Sequence, residues 1–146
     1  MKKKRAGFVC FLLYCALMLW LLFDRSGYEP GVPYAHQLRW NLIPFETVVL
    51  FYRLLTSGNP AYRMHAIINL GGNVLLFIPA GVLLPKLWPK QRNFFRFIAT
   101  CTGIMFFIEV LQLFTLLGSF DIDDLILNLA GMTLGFIGYH LFRKQK

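Results

Sequence analysis

Charge is what this sequence has least of. Asp, Glu, Lys and Arg make up 15% of its 146 residues, and only seven are acidic, whereas a soluble domain carries about 25% charged residues. So few charges argue against a water-soluble fold. Histidine and cysteine are equally sparse. His36, His65 and His140 are scattered, and neither an HExxH helix, a Gly-rich phosphate loop nor a Ser/His/Asp set stands out. Cys10, Cys15 and Cys101 are odd in number and lie in apolar segments without metal-ligand spacing. They read as small hydrophobes, buried or facing lipid.

What replaces charge is apolar surface. Hydrophobic residues are 57% of the chain and aromatic ones 16%, above the roughly 45–50% apolar content of soluble domains. The composition is that of an integral membrane protein. The net charge of +8 does not point to nucleic acid, because the basic residues cluster at the ends of apolar runs, as flanks of membrane spans do. By length, residues 1–146 are one domain.

Four runs, at about 7–23, 65–84, 97–117 and 125–142, are long enough to span a bilayer. The first follows Lys2-Lys3-Lys4-Arg5, and no small-x-small cleavage site comes after it. It is expected to be a retained span rather than a signal peptide. The long connection after it is broken by Pro30, Gly31 and Pro33. Within that connection, Phe45, Val48, Val49, Tyr52 and Leu55 share one helical face. That piece is too short to span, so an interfacial or re-entrant helix is expected. The fold class is therefore all-α: a four-transmembrane-helix bundle with one such helix in the first outer loop.

Basic residues set the expected orientation. Four Lys or Arg lie at 2–5, four at 86–96 and three at 143–146, eleven of fifteen in all. Both termini are expected in the cytoplasm. Six of the seven acidic residues then fall in the two outer loops, and the seventh, Glu109, lies inside the third span. A carboxyl group in hydrocarbon is costly enough to mark a functional site by default.

At about 1.5 Å per residue, Glu109 sits roughly 18 Å from residue 97, in the outer half of the membrane. Asn73 reaches a similar level from the opposite direction, and Asn69, Gln112 and Asn128 lie about one turn from it. Asp121, Asp123 and Asp124 occupy the short outer turn, with Arg39, Asn41 and Arg63 of the first loop able to lie above. Each has a plainer explanation. The aspartates suit the N-terminus of the fourth span, the asparagines suit interhelical hydrogen bonds, and Gly131 and Gly135 form a small-xxx-small packing pair. Glu109 could be a neutral partner of Asn73.

Four motifs, in order, are Asn41-Leu-Ile-Pro-Phe45, Asn69-x3-Asn73-x3-Phe77-x-Pro79-x-Gly81-x-Leu-Leu-Pro85, Glu109-x2-Gln112, and Asp121-x-Asp123-Asp124-x3-Asn128-x2-Gly131-x3-Gly135. Together they resemble the VanZ-like family over about residues 38–140. The chain departs from the family pattern at Phe120, where a basic residue is expected. The resemblance implies a bacterial cell-membrane protein associated with resistance to teicoplanin, a glycopeptide antibiotic bearing a fatty-acyl chain.

Two function classes follow. In the first, an outward-facing pocket of Arg39, Asn41, Asn69, Asn73, Glu109, Gln112, Asp121, Asp123, Asp124 and Asn128 engages a membrane lipid, a lipid-linked cell-wall component or the acylated glycopeptide, with residues 45–55 sensing the acyl chain. In the second, the protein is an enzyme acting on a lipid head group. Glu109 would then be its catalytic general acid or base, and Asp121, Asp123 and Asp124 would hold a divalent metal, Mg²⁺ or Mn²⁺, through hard oxygen ligands. An ion-coupled transporter fits less well, since four helices offer little inverted-repeat architecture.

Overall fold

The computed structural model describes residues 2–23, 40–115 and 119–144. The Pro30–Gly31–Pro33 punctuation and Arg39 lie outside the described residues, as do residues 116–118. Helices α1 (Lys2–Phe23), α2 (Glu46–Leu55), α3 (Pro60–Leu87), α4 (Phe94–Thr115) and α5 (Ile122–Lys144) follow one another, with a short 3₁₀ turn at Pro89–Arg92. Helices α1, α3, α4 and α5 are long and apolar enough to cross a membrane. The protein is an all-α membrane protein, and α2 is the short extra helix between the first two spans.

Local chemistry explains the boundaries. Asn59 precedes α3 in an extended conformation, its side chain accepts from the Ala61 amide at 2.9 Å, and Pro60 takes the first helical position, where no donor is needed. This cap starts α3 five residues before the apolar run that begins at His65. At 28 residues the helix is about 42 Å long, more than the ~30 Å hydrocarbon thickness, so it must tilt or leave an end in the interface. Pro79 and Pro85 lie inside α3 and can be tolerated because neighbouring groups re-satisfy freed carbonyls. At its far end Arg92 Nε donates to the Pro85 carbonyl at 3.2 Å, and the Trp88 amide to the Leu84 carbonyl at 2.9 Å.

Packing is strongest between α3 and α5. A Cβ on Gly131 would lie 2.1 Å from the Val74 carbonyl oxygen, one on Gly135 2.1 Å from that of Ile78, and one on Gly81 2.0 Å from that of Met132. Only glycine allows backbones this close, which is how membrane helices gain dispersion contact without a hydrophobic driving force. Helix α4 closes the core with Phe97, Cys101 and Met105, spaced by four and buried against Phe77, Ala80, Leu84, Met132 and Phe136. Glu109 is the next residue in that stripe. Its burial follows from helical periodicity, not from a special turn.

Helix α1 is held more loosely. Phe8 and Phe11 stack edge-on against Trp88, with ring centroids 6.4 and 5.0 Å away, and Tyr14 Oη donates to the Leu76 carbonyl at 2.8 Å. These contacts bring the beginning of α1 to the end of α3. The N-terminal basic cluster therefore shares one end of the bundle with the 86–96 connection, and α2 and the acidic turn occupy the opposite end.

The glycine contacts give a signed prediction. Gly135→Ala forces a methyl group into the Ile78 carbonyl and should lower stability by about 1–3 kcal/mol, the usual range for overpacking. Gly138→Ala meets nothing within 4 Å and should gain up to about 1 kcal/mol of helix propensity. Thermal unfolding of both variants in detergent checks the opposite signs.

Candidate functional site

Two segments far apart in sequence meet first through backbone. Trp40–Asn41 (β1) runs parallel to Phe120–Asp121 (β2), pairing Trp40 with Phe120 and Asn41 with Asp121. The pairing pins the first loop onto the start of α5. Phe120, the departure from the family pattern, is buried and stacks on Phe106 with centroids 5.8 Å apart.

The side chains then lock α2 in place. Phe45 precedes α2 at φ 67°, with no side-chain cap of its own; a left-handed conformation costs a non-glycine residue roughly 1–2 kcal/mol. Asp123 supplies the missing cap from across the fold. Its Oδ1 accepts from the Phe45 amide, and its Oδ2 from the Thr47 and Val48 amides at 2.8 and 3.1 Å. The side chain is completely buried. A carboxylate also complements the positive end of the α2 dipole.

Asp121 continues the network. Its Oδ2 accepts from Thr47 Oγ1 at 2.7 Å, and its Oδ1 from Asn41 Nδ2 at 3.3 Å and the Asp123 amide at 2.9 Å. Asn41 also donates to Thr47 Oγ1 at 2.9 Å, and its Oδ1 accepts from the Ile43 amide at 3.0 Å. Glu109, 4% exposed, accepts from the Asp121 amide through Oε2 at 3.1 Å. Asp124 Oδ1 accepts from Asn73 Nδ2, joining α5 to α3. One turn deeper on α5, Asn128 is buried, and its Oδ1 has no partner among the described residues.

The structure thus brings together Asn41, Asn73, Glu109, Asp121, Asp123, Asp124 and Asn128 of the expected set. Two others are not brought in. Asn69 donates to the His65 carbonyl of its own helix at 3.0 Å, a local bond that competes with longer-range partners. Gln112 points to α1 instead, donating to the Leu22 carbonyl at 2.8 Å. The expectation that Asp121, Asp123 and Asp124 converge on a divalent metal is not met by the geometry. Among the described residues no three His, Cys, Asp or Glu side chains form a group able to hold a metal ion, because these carboxylates turn to amides, a hydroxyl and a carboxamide. The expected α2 face also rotates. Phe45, Val49 and Tyr52 are exposed, while Thr47, Val48, Phe51, Leu54 and Leu55 are the less exposed face.

Thr47 is the residue that inspection of the sequence misses. Its amide, and its hydroxyl as both donor and acceptor, join three partners. A threonine in the first turn of a short helix was the available signal.

The class is therefore a multi-pass helical membrane protein with a buried acidic cluster near one end of its spans. Residues 11–143 match the family model described as VanZ/LLP1, and the chain belongs to that family. It is 28% identical over 131 residues to Protein VanZ of Enterococcus faecium, an overlap that covers 89% of this chain and 69% of that protein. No solved structure matches it significantly.

Asp123 is expected to matter first for architecture. Asp123→Asn keeps the size but replaces one carboxylate oxygen with a donor facing amide donors. Charged hydrogen bonds contribute about 1.5–3 kcal/mol each, so α2 should detach locally. Hydrogen exchange at residues 45–56 should accelerate while exchange in the α3–α5 contact stays slow. Unchanged protection at 45–56 would refute the capping role.

Proposed function

We propose that this protein confers resistance to acylated glycopeptide antibiotics of the teicoplanin type. It does so by engaging a lipid-linked envelope component, or the antibiotic itself, through the acidic cluster at the outer end of its spans. The observation that carries the reading is the division of labour inside that cluster. Asp121 and Asp123 have both oxygens committed to the loop and to α2. The hydrogen bonds of Glu109 and Asp124 use one oxygen each, and Asn128 Oδ1 has no partner. Glu109, Asp124 and Asn128, drawn from α4 and α5 and adjoined by Asn73 of α3, hold the polar capacity left for a ligand. Family membership over residues 11–143 supports the same reading.

The orientation belongs to this proposal. With eleven of fifteen basic residues in the two terminal segments and the 86–96 connection, both termini are cytoplasmic and the cluster faces outward. Cysteines introduced at Gly58 and Ser119 should react with an impermeant maleimide in intact cells. One at Lys90 should react only after the membrane is opened, and labelling of Lys90→Cys in intact cells would reverse the orientation.

Glu109→Gln separates ligand engagement from architecture. Glutamine retains an oxygen able to accept the Asp121 amide, so the fold is preserved, but it removes the acidic group. The variant should reach the membrane at parental levels, and resistance to an acylated glycopeptide should fall to that of cells lacking the protein. Full resistance at equal expression would remove Glu109 from the site. An enzyme acting on a lipid head group, with Glu109 as general acid or base, predicts the same loss but also turnover of a head group by purified protein. Mass spectrometry of the lipids after incubation distinguishes the two.

A further inference from the structure

Directly beneath the acidic cluster lies a cavity of about 230 Å³ whose walls are almost wholly apolar. Its position follows from helical register. On α3, Asn73 is followed one turn inward by Phe77. On α5, Asn128 is followed by Met132. On α4, which runs the other way, Glu109 is preceded by Met105. Phe77, Met105 and Met132 all line the cavity. Three helices thus change from polar to apolar at the same step, and the apolar half lies within the membrane-crossing segments. Met18 and Leu22 of α1 line another side of it, and the Leu22 carbonyl is the acceptor of Gln112.

The geometry points to a binding site for one acyl chain of a membrane lipid with an amine-bearing head group, the chain in this cavity and the amine at Glu109 and Asp124. This deepens the reading of the cluster as a ligand site and rests on it for the head group alone. An apolar void of about 150 Å³ can hold a benzene molecule, so this one admits a longer run of methylenes. Met18, Met105 and Met132 are among its lining residues, and flexible thioether side chains adapt to a mobile chain. The polar partners visible above it are carboxylates and carboxamides, complementary to an ammonium group rather than to a phosphate. The unpartnered Asn128 Oδ1 sits at the junction, and it accepts hydrogen bonds only.

In this proposal the acyl chain lies between α1 and the α3–α4–α5 core rather than along residues 45–55.

The test is photo-crosslinking of the full chain in phosphatidylcholine vesicles. These carry a trace of phospholipid with a mid-chain diazirine and either an ethanolamine or a glycerol head group. The ethanolamine lipid should cross-link to the peptides containing Met18, Met105 and Met132 at least several-fold more than the glycerol lipid. Leu19→Trp, at the exposed rim of the cavity, and Ala80→Phe, inside it, should each suppress those adducts. Adducts on the lipid-exposed Phe106 and Phe107 should remain and report a folded protein. Glu109→Gln and Asp124→Asn should abolish the preference for ethanolamine while chain adducts persist. Adducts spread evenly over exposed faces, or untouched by both blocking variants, would overturn the cavity assignment. Equal labelling by the two head groups would overturn the amine. Neither readout involves drug susceptibility, so a failed resistance assay and a failed cavity are separate results.

Discussion

The structure depends on the buried carboxylate of Asp123. Helix α2 is a short helix whose first amides have no partners of their own, and it begins from a residue in a left-handed conformation. In water such an end is solvated at little cost. Against a membrane bundle every unsatisfied amide is expensive, and three of them converge on one side chain from a segment more than seventy residues later. The α2 position, the register of the β1–β2 pairing and the direction in which Asp121 faces all follow from that contact.

A second constraint acts at the level of shape. Where α3 and α5 touch, Gly81, Gly131 and Gly135 let the backbones approach within side-chain-free distance. The contact fixes the two helices in parallel and sets the relative height of Asn73 and Asp124. Asp124 would have no carboxamide to meet if the helices were held apart by ordinary side chains. The polar network is therefore a consequence of close packing below it as well as of capping above it.

Much of this was legible in the chain. The four spans could be found from apolar run length, and Glu109 stood out because a lone carboxyl in such a run is rare. Which way Glu109 faces came only with the structure, which buries it in line with Phe97, Cys101 and Met105. Residue arithmetic gave depth, however, and depth is not azimuth. Gln112 lies one turn above Glu109 but about 60° round the helix, enough to send it to α1. Asn69 sits on the correct face and at a plausible level, yet a carbonyl four residues back was a nearer partner. The β1–β2 pairing was invisible because two residues carry no periodicity. Asp123 suited capping of the fourth span, at whose start it lies, but it caps α2 instead, a partner that only the fold brings within reach.

Three buried side-chain atoms among the described residues lack a partner, Gln91 Oε1, Asn128 Oδ1 and His140 Nε2, and of these Asn128 belongs to the acidic cluster. A buried acceptor without a donor costs about 1–3 kcal/mol, and a side chain whose only role was packing would be better replaced by leucine. Asn128 is 3% exposed, sits on the α5 stripe between Asp124 and Gly131, and immediately precedes the turn that reaches Met132. Neither the close-packed region below nor the capped region above uses its oxygen. The acceptor lies at the boundary between a polar layer and an apolar one, and among the described residues no group of the protein donates to it.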